Sequence, residues 1–282
     1  MINVTKAGGE TAPFDADKIR QSLLRVKTDP VLIERIIEAV NREIYDHIPT
    51  SKLYKMVFGE LKKRQKGAAG KYNLKRAIMD LGPTGYPFER FIGALWQAEG
   101  FTTAVGQILK GYCVSHEVDV VAEKENLHYL MECKFHRLQA TPCDVKNALY
   151  VQARFLDIEK RLKSSAAHAD KIHRMWLVTN TRLTTDAVAY GTCVGLGLLS
   201  WDFPADDGLR ERVDRAGLHP VTCLTSLSLK EKRRLLEKGV VLCRDFLTKP
   251  EILFEIGVRQ NKIQKALDEA EAICAEKFRN EE

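Results

Sequence analysis

The chain has 282 residues, of which 45% are hydrophobic, and a formal net charge of +6; these values favour a globular protein over a disordered one. It has no run of about 18 apolar residues that could cross a membrane, and its first residues, MINVTKAGGE, lack the apolar stretch of a signal peptide. We therefore expect a cytoplasmic protein without a membrane partner. Because one domain typically has about 100–150 residues, the length predicts two or three.

Cysteine spacing argues against a zinc site, and the charge distribution limits what can be inferred about nucleic-acid binding. The seven cysteines show neither C-x-x-C nor the paired histidine spacing of zinc sites, which favours reduced core thiols. The surplus of Lys and Arg lies in the first third of the chain. A basic patch by itself therefore does not indicate nucleic-acid binding by the middle of the chain.

The first third of the chain reads as a small helical domain. From Asp15 to about Leu81 apolar residues recur at helical spacing. They form three faces: Ile19, Leu23 and Val26; Leu32, Ile36, Ile37 and Val40; and Leu53, Met56, Val57 and Leu61. Asp15 and Thr50 are residue types that suit helix N-caps. A short hairpin around GGE precedes the helices, and the sequence GPTGYP at 82–87 predicts a linker.

Beyond this linker the apolar period changes, which predicts a domain of mixed secondary structure. Phe88, Phe91, Ile92 and Leu95 repeat as in a helix. Strands are predicted at 102–112, 114–121, 128–135, 175–180 and 196–201, and helices at 142–162 and 184–193. The order α-β-β-β-α-β-α-β predicts a mixed sheet flanked by helices.

The last segment is predicted to be helical. Ser228 and Glu231 have capping-box spacing, and Gly239 is a helix stop. A short helix is predicted over VVLCRDFL and a longer one over 261–278. The predicted fold class is α/β, as an α+β multidomain chain whose domains span residues 1–82, 86–207 and 220–282.

The middle domain carries the strongest chemical pattern. Glu132 and Lys134 in MECKFH are two residues apart on a strand and so share one face. Asp119 lies on the preceding strand, and a hairpin of suitable register would bring its carboxylate to the same place. Mg²⁺ usually takes one or two carboxylates with waters and phosphate, and it stabilises charge growing on a phosphodiester. Lys134 would orient the attacking water or stabilise that charge, and Glu89 could reach the site from the preceding helix.

Glu89 in GYPFERF, Asp119 in HEVDVV and the Glu-x-Lys of MECKFH resemble, in that order, the active-site signature of the PD-(D/E)xK nuclease superfamily. The element order is similar to its restriction-endonuclease-like fold. WLVTN followed by LTTDAVAYG resembles Mrr-type restriction nucleases and archaeal Holliday junction resolvases, although Mrr-type enzymes often have Gln at the position of Glu132. The resemblance covers about residues 86–205. It implies a metal-dependent DNA endonuclease in which Glu89, Asp119, Glu132 and Lys134 are catalytic, and in which Asp119, Glu132 and Glu89 bind Mg or Mn.

A structural interpretation of these residues stays open. A single Asp, Glu or Lys on a strand is most often a solvated charge or part of a salt bridge, and only the four together favour a metal site. His116 and His136 are as compatible with surface or packing positions as with contacts to phosphate.

The first domain resembles a second family. VTKAGGETAPFDADKI is similar to the opening of the ATP-cone, the nucleotide-binding regulatory domain of ribonucleotide reductases and their transcriptional repressor, over about residues 2–82. The resemblance implies that ATP or dATP is a regulatory ligand. Lys6 and Lys18 would contact the triphosphate, Asp15 would position the start of the first helix, and Thr50 would lie near the nucleotide. Lysines beside a helix N-terminus favour phosphate binding.

The alternative for this domain is a helical packing unit with solvated lysines. The chain departs from the family at Ala7, where Arg is usual, and at Ala12, where an acidic residue is common. By the same resemblance a nucleotide would act by changing the association state, so we expect a homo-oligomer.

The last segment, TSLSLKEKRRLLEKGVVLCRDFL followed by EIGV, resembles helix-hairpin-helix DNA-binding modules. Gly239 and Gly257 would be the turns that present backbone N–H groups to phosphates. Both glycines are equally compatible with helix C-caps; the basic residues Lys230, Lys232, Arg233 and Arg234 would then form a solvated face. The three segments together predict a DNA endonuclease regulated by ATP or dATP. The rival hypothesis is a non-catalytic, nucleotide-responsive DNA-binding regulator.

Overall fold

A computed structural model describes residues 2–6, 8–166 and 168–274 of the chain. Ala7 and the predicted helix end at 275–278 therefore lie outside the described residues. The strands are β1 (Asn3–Thr5), β2 (Thr11–Pro13), β3 (Ile48–Pro49), β4 (Thr102–Lys110), β5 (Ser115–Lys124), β6 (Leu127–Lys134), β7 (Ile172–Thr179) and β8 (Gly197–Leu199).

The helices follow the same chain order, and a short 3₁₀ turn at Val221–Cys223 precedes the last four. They are α1 (Ala16–Arg25), α2 (Pro30–Glu43), α3 (Thr50–Arg64), α4 (Lys66–Tyr72), α5 (Leu74–Met79), α6 (Tyr86–Ala98), α7 (Val145–Lys163), α8 (Thr185–Cys193), α9 (Leu209–Ala216), α10 (Leu229–Glu237), α11 (Cys243–Leu247), α12 (Glu251–Glu255) and α13 (Gln260–Cys274). The predicted mixed fold class is confirmed. Within the described ranges, none of these helices combines the length and the apolar character needed to cross a membrane.

The chain forms two compact units. The first unit contains Met1–Ala77, Val221–Glu237 and Cys243–Glu282, and the second contains Ile78–Pro220 and Lys238–Leu242. The first and last predicted segments therefore share one unit, although the predicted limits at 82 and 220 lie close to the limits of the units. Periodicity identifies the apolar face of a helix, but it does not identify the distant segment that covers it.

In the first unit, a three-stranded sheet in the order β2-β1-β3 stands beside a helical core. The antiparallel pair β1–β2 is the predicted hairpin. The apolar faces predicted for α1, α2 and α3 meet in one core, where Leu23, Ile36 and Leu61 are almost completely buried. The Asp15 side chain caps α1 by accepting from the N–H of Asp17 at 2.9 Å. The N-cap prediction for Thr50 is wrong, because Thr50 is already the first helical residue of α3.

Two glycines allow α4 to approach α13 closely. A Cβ atom added at Gly67 would lie 2.9 Å from the Cβ of Ala272, and one added at Gly70 would lie 2.6 Å from Cδ1 of Ile273. Such distances exclude larger side chains unless the helices move apart. The absence of two side chains thus lets the first and last segments of the sequence share a core.

The last segment follows the predicted caps. The Ser228 N–H donates to Oε2 of Glu231 at 2.6 Å, and the Glu231 N–H donates to the Ser228 hydroxyl at 3.4 Å. This reciprocal pair confirms the capping box at the start of α10. Gly239 and Gly257 both have positive φ, 78° and 79°, a backbone conformation that favours glycine.

In the second unit, a five-stranded sheet has the order β4-β5-β6-β7-β8. The first three strands are antiparallel, whereas β6–β7 and β7–β8 are parallel. The predicted order of strands and helices is confirmed. Helix α7 packs against the sheet through Ala148, Val151 and Ile158, in one core with Leu130 and Leu177. Strand β6 is central in this sheet, so its polar residues lie in the interior of the sheet and not at an edge.

Two sequence-based predictions need correction, the linker at 82–87 and the core position of all cysteines, and one helix, α9, was not predicted. Helix α6 begins within the predicted linker, because Pro87 is tolerated in a first turn where its missing N–H has no helical partner. Helix α9 has too few apolar residues for a periodic signal, with Leu209 and Val213 alone forming its aliphatic face. All seven cysteines are described and none forms a disulfide, but Cys113 and Cys193 are exposed and are not core thiols.

Candidate functional site

The hairpin of β5 and β6 brings the predicted acidic residues together. Val120 pairs with Met131, so the next step of the antiparallel register places Asp119 beside Glu132. The N–H of Cys133 donates a hydrogen bond of 2.6 Å to Oδ2 of Asp119. This bond fixes the Asp119 carboxylate against the end of β6.

Glu132 is buried, with 5% of its surface exposed, and is held between two cations. The Lys134 ammonium lies 2.5 Å from Oε1 of Glu132, and Nη1 of Arg154 donates to Oε2. A strand presents residues i and i+2 on one face, which explains the contact between Glu132 and Lys134. Arg154 reaches the same carboxylate from α7.

Sequence reasoning did not identify Arg154. Besides Glu132, its guanidinium donates to the backbone carbonyl of Glu117 and lies 5.3 Å from the centre of the Tyr150 ring. The Lys134 ammonium is 5.8 Å from the centre of the same ring. One Arg on an amphipathic helix carries no local signal, because its partner is set by how that helix docks on the sheet.

Burial and mutual repulsion raise the pKa values of two carboxyl groups at this site. For Asp119, burial and then the charge of Glu132 raise the pKa to about 6, although the Cys133 N–H, Lys134 and Arg154 favour the charged form. For Glu89, burial and then the charges of nearby carboxylates, Asp119 first, raise the pKa to about 7. The four predicted catalytic residues thus lie within one electrostatic environment.

The donor set suits a hard cation with few protein ligands. Among the described residues, no three Asp, Glu, His or Cys side chains are grouped closely enough to hold a metal ion by themselves. Mg²⁺ commonly takes one or two carboxylates and completes its coordination with water and substrate oxygens. The repulsion between Asp119 and Glu132 is the kind of field that a cation relieves. Asp119 and Glu132 thus offer the number of carboxylates that such an ion takes, with Glu89 as a neighbouring acid, while Lys134 and Arg154 already contact both oxygens of Glu132.

The residues of the WLVTN sequence hold the end of β6. The Thr179 hydroxyl donates to the carbonyl of Lys134 at 2.8 Å. The Asn180 side chain accepts from the His136 N–H at 2.8 Å and donates to the His136 carbonyl at 2.9 Å. These bonds fix the backbone on which Lys134 stands.

The two histidines near the site have structural partners or surroundings. Nε2 of His116 lies 2.8 Å from Oδ2 of Asp157, whose carboxylate also accepts from the Cys113 N–H at 2.8 Å. Nε2 of His136 is buried and has no hydrogen-bond partner within the described ranges, and burial lowers the pKa of this ring. Both positions agree with packing roles better than with open contacts to phosphate.

A separate cavity of about 260 Å³ lies in the first unit. Its lining includes all four residues that the ATP-cone resemblance implies for the nucleotide: Lys6, Asp15, Lys18 and Thr50. Tyr54 and Tyr72 also line the cavity, with stacked rings whose centres are 5.3 Å apart. The cavity therefore combines lysines and a helix start, which favour phosphate, with aromatic rings, which are common in ligand pockets.

The two lysines of this cavity differ in their partners. Lys6 lies 3.3 Å from the carboxylate of Glu10 at an exposed position, where an ion pair contributes little to stability. Lys18, in the first turn of α1, forms no ion pair with any described residue. Its ammonium is thus the cation that an incoming phosphate would meet without breaking an existing contact.

The basic residues of α10 are not a uniform solvated face. The Lys232 ammonium donates to the carbonyl of Thr222 at 2.9 Å, and the Arg234 guanidinium donates to the carbonyl of Ile256 at 2.7 Å. Lys230 and Arg233 are exposed. Two of the four cations therefore support the packing of the helical segment.

Comparisons with known proteins match two segments of the chain to family models. Residues 2–80 match the ATP cone domain, which confirms the resemblance of the first segment and indicates nucleotide-responsive regulation. Residues 219–274 match the domain described as AF1548-like, C-terminal.

Two relatives cover a larger part of the chain. An uncharacterized protein of Archaeoglobus fulgidus is 34% identical over 180 residues, which are 64% of this chain and 97% of the relative. The crystal structure of AF1548, a protein of unknown function, superposes with a TM-score of 0.56 at 33% identity, over 68% of this chain and 99% of that chain. The chain therefore belongs to the AF1548-like family and carries an ATP cone at its amino-terminal end.

Proposed function

We propose that this protein is a divalent-metal-dependent DNA endonuclease whose activity responds to ATP or dATP. The observation that carries the proposal is the convergence of Asp119, Glu132 and Lys134 on two adjacent strands, with Glu89 close by. Burying carboxylates side by side is unfavourable, so an arrangement of this kind favours a functional role over a purely structural one.

Each side chain has a distinct role in the proposed reaction. Asp119 and Glu132 would hold Mg²⁺ or Mn²⁺, which supplies a more acidic water and neutralises charge on the phosphodiester. Lys134, whose side chain is 29% exposed, can reach a substrate oxygen while it remains beside Glu132. Glu89 adds a further carboxyl group from α6 that can accept a hydrogen bond from water.

The regulatory half of the proposal rests on the ATP cone. The cavity that contains Lys6, Lys18, Asp15 and Thr50 would hold the nucleotide, with its phosphates near the start of α1. A nucleotide regulates only if it binds one conformational or oligomeric state better than another. We propose a change of association state of a homo-oligomer as the route.

DNA contact by the last segment belongs to the same proposal. The exposed Lys230 and Arg233 of α10 are available to phosphates. Gly239 and Gly257 have positive φ, but the Gly257 N–H donates to the carbonyl of Phe254 at 2.9 Å and so caps α12. The proposed DNA contact therefore rests on Lys230 and Arg233.

One observation favours a second candidate, a non-catalytic DNA-binding regulator that responds to nucleotides. Lys134 and Arg154 already neutralise the carboxylate of Glu132. A buried acid between two cations is also a stable structural element when all of its partners are present.

A cleavage assay separates the two candidates. The full chain is incubated with plasmid and linear DNA in Mg²⁺ or Mn²⁺, with and without ATP or dATP. Metal-dependent cleavage that the chelator EDTA stops supports the endonuclease. Binding to DNA without cleavage under any of these conditions supports the regulator.

A further inference from the structure

Both carboxylate oxygens of Glu132 already contact a cationic side chain. Lys134 contacts Oε1 and Arg154 contacts Oε2, and only 11% of the Arg154 side chain is exposed. A divalent cation that uses Glu132 would therefore meet two cations at one carboxylate. Like charges at such short range repel strongly in a partly buried site, so one of the two must withdraw.

We propose that Arg154 is the residue that withdraws, and that it exchanges Glu132 for a phosphate of the bound DNA when the metal ion enters. This inference rests on the proposed function, because it assumes that the metal ion uses Glu132. Arg154 would then make metal binding and DNA binding depend on each other. Arg154 would act as a positioning residue that keeps the metal ion from Glu132 until DNA binds; we call this role the gate.

The contacts of Arg154 favour this role. Its other partners, the Glu117 carbonyl and the Tyr150 ring, carry no net charge. Arg154 also attracts the nearby Asp119 carboxylate, which the metal ion would neutralise. Once Arg154 leaves Glu132, none of these remaining partners compensates the charge of the largely buried guanidinium. A phosphodiester oxygen supplies that negative charge, and a guanidinium can bind two phosphate oxygens at once.

The Tyr150 ring indicates the direction in which the Arg154 guanidinium can move. Tyr150 is 57% exposed, so the ring beside Arg154 borders solvent. A guanidinium that leaves Glu132 can stay over this ring while it turns toward a ligand outside. Within the part of the chain that the structure describes, the further contact of the Lys134 ammonium is with the same ring at a longer distance, 5.8 Å. Its proposed role keeps Lys134 in the site.

The thermodynamic consequence is reciprocal coupling. If Arg154 opposes the metal in the absence of DNA, then DNA must increase metal affinity, and the metal must increase DNA affinity by the same factor. Couplings of about 5- to 150-fold are typical of linked sites. An Arg154→Gln variant should lose the part of the coupling that Arg154 carries, because Gln has no charge to be exchanged, and should keep only the part from direct contact between metal ion and DNA.

The test measures binding and does not depend on cleavage. Mn²⁺ is titrated by calorimetry into the full chain, alone and with a phosphorothioate-linked DNA duplex that resists hydrolysis. For the natural protein we expect the duplex to tighten Mn²⁺ binding by about tenfold. For Arg154→Gln we expect Mn²⁺ alone to bind about tenfold more tightly than to the natural protein, and the duplex to tighten Mn²⁺ binding by a clearly smaller factor than in the natural protein.

Two variants serve as controls. Arg154→Lys keeps a positive charge and should retain coupling, whereas Arg161→Gln, an exposed position on the same helix, should match the natural protein. Equal Mn²⁺ affinities for the natural protein and Arg154→Gln would overturn the gate while leaving the proposed metal site intact. Absence of Mn²⁺ binding in every variant, with or without DNA, would overturn the metal site and the gate together.

The natural protein alone also decides the matter if Arg154→Gln does not fold. The duplex affinity is then measured with and without Mn²⁺. Equal affinities would show that metal and DNA bind independently, which contradicts the exchange.

Discussion

The Cys133 N–H and the Asp119 carboxylate are joined by a 2.6 Å hydrogen bond across β5 and β6. This bond sets the position of Asp119 and favours its charged form, against the burial and the Glu132 charge that raise its pKa to about 6. The Cys133 N–H therefore both fixes the position of the Asp119 carboxylate and stabilises its charged form. Variants at Asp119 must keep this bond if they are to report on chemistry alone.

The first prediction concerns the two carboxylates. Asp119→Asn and Glu132→Gln should abolish metal-dependent DNA cleavage but preserve DNA binding, because each replaces a carboxylate with an amide of similar shape. The amide oxygen at 119 can still accept from Cys133, whereas Asp119→Ala leaves that N–H unpaired at a cost of about 1–3 kcal/mol. A nuclease assay and a gel-shift assay measure the two properties.

The exposed Asp186 on α8 offers a matched control for these variants. Asp186→Asn should cleave at the natural rate. Full activity of either Asp119→Asn or Glu132→Gln would remove these residues from the proposed site.

The second prediction concerns Lys134. Lys134→Met keeps the aliphatic part of the side chain and removes the charge, so the protein should fold while the cleavage rate falls by at least about 10²-fold. Single-turnover kinetics measure the effect, and circular dichroism confirms folding. An unchanged rate would reduce Lys134 to a structural partner of Glu132.

The third prediction concerns stability in acid. His128 is buried, its Nδ1 lies 2.9 Å from Nδ1 of His173, and burial followed by the proximity of His173 lowers its pKa to about 4. Glu123 opposes this shift, whereas His168 and Lys171 add to it. The ordinary pKa of an unfolded histidine is about 6.5, so the unfolded state binds more protons in the interval between the two values.

The neutral form of His128 therefore stabilises the fold fully above about pH 6.5, and this contribution is lost as the pH falls through about 4. The free energy of unfolding in urea should fall over that interval, and less steeply in His128→Gln. His47→Gln, at an exposed position, should keep the natural slope. Equal slopes in His128→Gln and the natural protein would contradict the prediction.

The fourth prediction concerns the nucleotide. ATP or dATP should change the sedimentation profile or the cleavage rate, and Lys18→Ala should remove the response without changing metal-dependent activity. The reason is that Lys18 lines the cavity and forms no ion pair with any described residue.

Lys62→Ala, on the exposed side of α3 and outside the cavity, is the control and should respond as the natural protein does. Calorimetry checks binding directly. Heats indistinguishable from dilution at millimolar ATP and dATP would leave the cavity without a nucleotide role.

Much of the fold was predictable because it depends on neighbours in the sequence. The faces of α1 to α3, the Asp15 cap and the Ser228–Glu231 capping box follow from spacings of two to four residues. The positions of the strands of the second unit along the chain follow from alternation and turn residues in the same way. The adjacency of Glu132 and Lys134 needed only the two-residue repeat of a strand.

Other features depended on segments far apart in the sequence. From the sequence, the β5–β6 register that places Asp119 beside Glu132 could only be assumed. A slip of one residue would turn the Asp119 side chain to the other face of the sheet. The partners of Lys232 and Arg234 are backbone carbonyls on other segments, so their charges gave no indication of them. The sharing of one unit by the first and last segments came from the close packing at Gly67 and Gly70.

By itself, the sequence determined the periodic elements, the order of the candidate catalytic residues and the ATP cone, since each is written in local spacing or in a contiguous motif. The tertiary structure alone decided that the Arg154 guanidinium donates to the Glu132 carboxylate, because the two residues lie on different elements 22 positions apart. Helix docking on a sheet is governed by packing over the whole interface. For that reason no local pattern could place the guanidinium on the carboxylate.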